Sequence, residues 1–270
     1  MRILRYITNM KIHTVISILE EVAPLALQES YDNSGLQTGD PDADINSALL
    51  CVDVTEDVVR EAAELNAGLI ISHHPPLFHP LRHISYDSYI ERAIIDAIRN
   101  NIAVYSCHTN LDSAPGGMSF ALGKILGIND MSPVQPSRLL AGAGMGVFGH
   151  LNSEMPLLDF LHTVKQTLGL KCIRYSNPNK TLIRNVALCT GAGASLTRDA
   201  KLLGADIYIS SDFKYNDFLD ADRDIVIADV GHFESEYCAI TLMYEIITKK
   251  ITNFAVYKSE RSLNPVNYLV

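Results

Sequence analysis

The stretch Ala48–Ser72, ALLCVDVTEDVVREAAELNAGLIIS, decides the fold. Ala48–Val54 is apolar and short enough for a buried strand. Thr55 is a plausible N-cap, and Glu56 and Asp57 follow where a first helical turn favours negative charge. Val58, Val59, Ala62, Ala63 and Leu65 then recur at helical spacing, which predicts a helix over Thr55–Asn66. Gly68 stands where a helix stop is expected. Leu69–Ser72 is a second apolar run of strand length. Further on, Tyr89–Asn100 has helix period and Ile102–Cys107 is again strand-like. The order βαβαβ predicts an α/β fold with helices packed on mixed, largely parallel sheets.

The second half repeats the first. Leu50-Cys51 falls on Leu188-Cys189 when the numbers are shifted by 138. Without a gap, Leu65 then meets Leu203, Ala67 meets Ala205, Leu69 meets Ile207, Ile71 meets Ile209 and Ser72 meets Ser210. This predicts two similar α/β halves. The Pro- and Ser-rich, non-periodic run Met131–Ser137 marks a boundary near 129–140, so the halves are expected to be residues 1–130 and 131–270. The Gly-rich run Ala141–Gly146 matches neither a dinucleotide nor a P-loop signature and is expected to be a flexible lead into a strand at Val147–Leu151. Leu157–Leu168 reads as a helix.

Bulk properties narrow the function. A chain of 270 residues with 47% apolar and 20% charged side chains can bury a sizeable core. Its net charge of -9 argues against a general nucleic-acid or membrane-surface binder. An anionic substrate is still possible, because a bound cation reverses the local field. Five cysteines without a CxxC pair fit buried thiols in a reducing compartment. No apolar run is long enough to span a bilayer, and no secretory signal stands at the N-terminus, so a cytoplasmic location is expected. Met10 is an alternative start, with the first nine residues an extension.

Three strand-like runs end in residues that bind divalent cations. His73-His74 follow Gly68–Ser72. At a strand end, where the backbone turns, two adjacent imidazoles can reach neighbouring ions; on a regular strand they would point to opposite faces. His108 follows Ile102–Cys107, with Asp112 four residues on. His108 is either a ligand or a residue that orients a bound water, and Asp112 is either a ligand or a helix cap. Pro115-Gly116-Gly117 favours a loop there. His232 follows Ile225–Gly231, and Glu236, four residues on, shares its helical face. Glu236 is preferred over Glu234, since a carboxylate with two oxygens can bridge two cations. Together these residues suggest a metal site beyond the carboxyl ends of the strands.

The same residues carry a resemblance. Tyr31-Asp32-Asn33-Ser34-Gly35-Leu36-Gln37-Thr38-Gly39, Ser72–Phe78, His108–Asp112 with Pro115-Gly116-Gly117, Ser211–Asp217 and Gly231–Glu236 are similar to the NIF-three-like proteins, often named GTP cyclohydrolase type 2 homologues. The resemblance runs from about His13 to Leu269. It implies two intertwined α/β halves in a ring-shaped homohexamer. It also implies a two-metal site with His73, His74, Asp112, His232 and Glu236 as ligands, Glu236 touching both ions, and His108 close by to handle protons. The metals are two divalent ions, with zinc, iron, manganese and nickel all compatible. The implied reaction is hydrolytic: hydroxide adds to carbon eight of GTP, the purine ring opens and formate leaves. For the phosphates, Lys214, Arg82 and Arg138 are the candidates. Tyr31 replaces the usual Trp, Asn216 stands where many members have His, and the short Asp130–Leu140 link has no room for the domain some members insert. A metal-dependent phosphoesterase and a metal-binding scaffold without turnover are the alternative readings.

Overall fold

The computed structural model describes residues 9–177 and 180–269. The expectation of an N-terminal extension falls, apart from Asn9, outside the described residues. The chain divides into two compact units. One comprises the chain up to Leu111 together with Ala239–Leu263, and the other Asp112–Cys238 together with the chain from Asn264. A cut at 130/131 is a division of the sequence alone. In the structure Asp112 begins the second unit, and the chain returns to the first unit early in the helix Cys238–Lys250.

The first unit contains a five-stranded sheet in the order Ala255–Lys258, Ser47–Cys51, Leu69–Ser72, Ala103–Ser106, Gly35–Thr38. The first four strands are mutually parallel, and Gly35–Thr38 joins antiparallel at the edge. Helix Glu56–Glu64 forms as its sequence predicts. The Thr55 side chain accepts from Val58 N at 3.3 Å, supplying one partner for the unpaired first-turn amides. Its stop differs from expectation. Asn66 takes the left-handed conformation, with φ 52°, and Gly68 does not. Gly68 is required for another reason: a Cβ there would lie 2.3 Å from Ile45 Cγ2. Val58, Val59 and Ala62 pack with Leu49, Ile70, Ala93 and Val104 into one core on this sheet.

The second unit contains a six-stranded sheet in the order Asn129–Pro136, Gly144–Pro156, Leu182–Leu188, Ile207–Ser210, Val226–Asp229, Arg174–Tyr175. Only its three central strands are parallel. The other pairings are antiparallel, so "largely parallel" describes the first sheet and "mixed" the second. The Pro- and Ser-rich run expected to be a boundary is instead the edge strand Asn129–Pro136. Prolines are tolerated on an edge, where an amide is not needed by a further neighbour. The Gly-rich run is divided: Ala141–Ala143 end the connection of this hairpin, and Gly144–Gly146 already belong to the strand Gly144–Pro156. Both faces of the sheet are covered. Val186, Leu188, Ile207 and Ile209 pack against Phe160, Leu161 and Val164 of helix Leu157–Thr167. Ala187, Tyr208 and Ile227 pack into a second core with Leu196 and Ala200.

The duplication is visible in strand register. Ala48 pairs with Leu69 and Leu50 with Ile71; Val186 pairs with Ile207 and Leu188 with Ile209. The same shift of 138 relates both members of each pair. All five cysteines are free, and Cys51, Cys107 and Cys189 are buried. Among the described residues no helix is long and apolar enough to cross a membrane.

Leu49 is fully buried at the centre of the first core. Leu49→Ala is expected to lower unfolding stability by about 2–5 kcal/mol in denaturant titration. Asp206, leading into Ile207–Ser210, has a lowered pKa. Burial opposes its charge, but Lys180 and the amides of Arg184 and Asn185 outweigh burial. Its stabilising contribution is therefore present above the ordinary carboxylate pKa and lost as pH falls through the folded value. Asp206→Asn should destabilise the protein at pH 7, and the gap from wild type should close on acidification below about pH 4.

Candidate metal centre

In the first unit, sheet hydrogen bonding continues past the end of Leu69–Ser72. His73 N donates to Cys51 O at 3.1 Å and His74 N to Val52 O at 2.9 Å. Both histidines are thus held by backbone before their side chains are considered. His108 is fixed similarly, because Cys107 N donates to Ser72 O at 2.9 Å. His108 then leads into Thr109–Asp112, which is a one-turn helix and not the loop that the following Pro-Gly-Gly suggested. Asn110 anchors this turn, accepting from His108 N at 2.9 Å and donating to Ala23 O at 2.7 Å. Asp112 does not cap the next helix, since Gly117 is the N-cap of Met118–Ile125.

The three imidazoles of this unit gather. Ring centroids are 5.1 Å apart for His73 and His74, 5.3 Å for His73 and His108, and 5.5 Å for His74 and His108. One nitrogen from each lies within 4.8 Å of the others, and His73 is fully buried. Each ring uses Nδ1 on an acceptor: His73 on Cys107 O at 2.8 Å, His74 on Asp53 Oδ1 at 2.7 Å, His108 on Asp32 Oδ1 at 2.7 Å. A carbonyl or carboxylate can only accept, so Nδ1 carries the proton in each ring. Nε2 is then the lone-pair nitrogen of the neutral ring, able to bind a cation or a proton.

Asp32 is itself tightly held. Its side chain is buried and accepts from Ser34 Oγ at 2.8 Å, from Thr109 N at 3.0 Å and from Thr109 Oγ1. Burial works against its charge, but the bonds from His108 and Thr109 hold it well below the usual carboxylate range. Asp32 therefore stays anionic and fixes the His108 tautomer.

In the second unit, His232 and Glu236 lie on one turn of the short helix His232–Glu236, entered through Gly231 at φ 82°. His232 Nδ1 donates to Asp212 Oδ2 at 2.6 Å, and Nε2 lies 3.0 Å from Glu236 Oε2. Asp212 has φ 58°, a strained conformation for a residue with a side chain, and this brings its carboxylate to the ring. Glu236 is 3% exposed, whereas Glu234 folds back over Gly231. Asp112, also buried, accepts from Thr190 Oγ1 at 3.4 Å. Burial, then Asp112 and Glu236, push the Cys189 thiol up to about 12; burial, then Glu236 and Asp112, do the same to Cys238.

Taken by itself, the donor set of each unit suits a divalent cation. All four imidazoles have the Nδ1–H bond to carbonyl or carboxylate that orients metal-binding histidines. Gly191 leaves space that a side chain would fill: a Cβ there would meet Glu236 Oε1 at 2.1 Å and His232 Nε2 at 3.4 Å. The supporting carboxylates Asp32, Asp53 and Asp212 were not assigned roles from the sequence. Two of them carried a signal: Asp32 lies in the Tyr31–Gly39 stretch, and Asp212 falls opposite His74 in the repeat. Lys214, Arg82 and Arg138 are exposed. Gly191→Ala should displace Glu236 and weaken cation binding about 10-fold or more, as judged by chelator competition, with the circular dichroism of the fold retained. Unchanged affinity would show that Gly191 does not shape the cation site.

The sequence profile of Duf34/NIF3 (NGG1p interacting factor 3) matches residues 10–265. A Clostridium perfringens protein named GTP cyclohydrolase 1 type 2 homolog is 38% identical over 243 residues, covering 90% of this chain and 93% of its own. The Drosophila melanogaster NIF3-like protein 1 is 31% identical over 96% of this chain and 89% of its own. The crystal structure of a Staphylococcus aureus hypothetical protein superposes with a TM-score of 0.89 at 27% identity, covering 97% of this chain and all of that one. A profile match over almost the whole length, with relatives above 30% identity, places this chain in the Duf34/NIF3 family.

Proposed function

We propose that this protein is a dinuclear metal-dependent hydrolase acting on GTP, and that His73, His74, Asp112, His232 and Glu236 hold two divalent cations. The observation that carries the reading is the shared state of the four imidazoles: Nδ1 is bound to an acceptor, so Nε2 is the coordinating or basic nitrogen in each. Zinc, iron, manganese and nickel all suit imidazole and carboxylate donors. Bound cations of this kind bring the pKa of water toward neutrality and polarise a substrate oxygen or nitrogen.

His108 has the proton-handling role. Its Nε2 can take a proton from the water that adds to C8 and return it to the ring nitrogen whose bond to C8 breaks as the ring opens to a formamide; a second water then hydrolyses that formamide, its proton passing by the same route to the remaining nitrogen as formate leaves. The charge that His108 gains in between is stabilised by Asp32, 2.7 Å from Nδ1. His73 Nδ1 bonds the neutral carbonyl of Cys107, which suits a ligand better than a base. The names of the bacterial relatives support the cyclohydrolase assignment. We place the enzyme in the cytoplasm as a ring-shaped homohexamer, which light scattering would check.

Elemental analysis should find two cations per chain in wild type and fewer in Glu236→Ala. His108→Ala should keep its cations but lose about 10²–10⁴-fold in formate release from GTP. Phosphate release without formate would instead make the protein a phosphoesterase. Absence of turnover across nucleotides, with a His74→Ala variant losing a binding partner, would make it a scaffold.

A further inference from the structure

Beside His74 the first unit has a cavity of about 300 Å³. This is the low end for small-molecule pockets, which run from about 300 to 1,000 Å³, and it is room for one ring system and not for a whole nucleotide. Val54, Pro76, Leu81 and Ile90 form apolar walls, with the ring of Phe78 beside them. Phe78 and His79 meet edge-on at 4.9 Å between centroids. Prolines and aromatic rings make a flat, stiff enclosure suited to a planar ligand.

The polar lining is one-sided. Asp53, His74, His79 and Tyr89 contribute, and no Lys or Arg is among the lining residues. A phosphate here would face the Asp53 carboxylate without a fixed cation. Asp53 uses Oδ1 on His74 Nδ1; its Oδ2 bonds no other described residue, and the side chain is 39% exposed. An ionised carboxylate only accepts hydrogen bonds, so a ligand satisfying it must donate. Burial, and then the Asp53 charge, raise the Tyr89 hydroxyl pKa, so that group remains neutral.

From this enclosure we infer that the cavity binds a planar heteroaromatic base with adjacent N–H donors on one edge, and that Asp53 reads that edge. The guanine N1–H and 2-amino group are such an edge. The inference rests on the proposed hydrolase reading only in taking the cavity as the place of the substrate's base; size and polarity stand on the first unit alone. Asp53 then has two tasks, orienting His74 with one oxygen and selecting the base with the other. Specificity lies in the ring, and the phosphates project out of the cavity.

The test is equilibrium binding of guanosine, which has no phosphates, against inosine, which lacks only the 2-amino group. Calorimetry on the metal-loaded and the chelator-treated protein should show guanosine bound about 10-fold or more tighter than inosine, the worth of one charge-assisted hydrogen bond. Asp53→Asn should abolish that preference. Ile90→Trp, which fills the cavity and leaves His74 and Asp53 in the sequence, should weaken both nucleosides; Leu81→Trp serves if that variant does not fold. Equal binding of the two nucleosides, a preference that survives Asp53→Asn, or full binding in the filled variant would each overturn the inference. The two readings fail separately. Guanosine preference in a chain that holds no cations would sink the hydrolase and keep the base site. Formate release from GTP without any nucleoside preference would do the reverse.

Discussion

An imidazole can hold a cation only through a nitrogen that carries no proton, and the candidate site depends on how this protein settles which nitrogen that is. In each of four histidines an acceptor-only group, a carbonyl or a carboxylate, lies against Nδ1. The proton is thereby confined to one side of the ring, and the ring plane is fixed with it. Two of these acceptors, Cys107 O and the carboxylate of Asp53, belong to residues at or just beyond strand ends. The parallel sheet thus supplies the orientation as well as the positions. Without that constraint the rings would sample two tautomers and several rotamers, and proximity alone would not make a site.

The first unit shows how few interactions are needed to impose it. Hydrogen bonds from His73 N, His74 N and Cys107 N to neighbouring strands carry the ladder one to two residues beyond regular pairing. The Ser72 and Ser106 hydroxyls, 2.8 Å apart, tie two of these strand ends together side by side. Asp32 comes from a segment 76 residues from His108, and its negative charge is stabilised locally by donors from Ser34, Thr109 and His108. A buried carboxylate with that many donors keeps its charge near neutrality, which is the condition for biasing His108.

Much of the fold was legible because it is periodic. The apolar runs at Ala48–Val54 and Leu69–Ser72, with a capped amphipathic helix between, admit little but a parallel βαβ unit, and the shift of 138 extended that to the second half. Legibility failed where tertiary packing overrode composition. Asn129–Pro136 has the residues of a linker yet forms a strand, because an edge position tolerates proline and the adjacent Gly144–Pro156 supplies the pairing. In the site, ligand-type residues were legible from their place at strand ends. Their supporting carboxylates were not, since each comes from a distant segment: Asp53 is 21 residues from His74, and Asp212 is 20 from His232. Sequence spacing records neighbours along a strand or helix and is silent about neighbours across a sheet.

The two halves differ at the point where the chemistry begins, and the difference has a steric cause. Under the shift of 138, His73-His74 fall on Ser211-Asp212 and Asp53 falls on Gly191. Register is shared through Leu50–Ile71 and Leu188–Ile209, but His73 N then bonds Cys51 O, whereas Ser211 N bonds Gly191 O. In the first unit, position 53 carries a carboxylate that supports a histidine on the neighbouring strand end. In the second, the corresponding position must carry no side chain, because the space is taken by Glu236 and His232 arriving from the helix after Val226–Asp229. The supporting carboxylate moves to Asp212, at a positive φ that the surrounding fold has to enforce. The same local arrangement, a strand-end histidine backed by a carboxylate, is therefore realised in each half with the roles exchanged between strands. That exchange turns a structural repeat into two unlike donor sets, one of imidazoles and one rich in carboxylate.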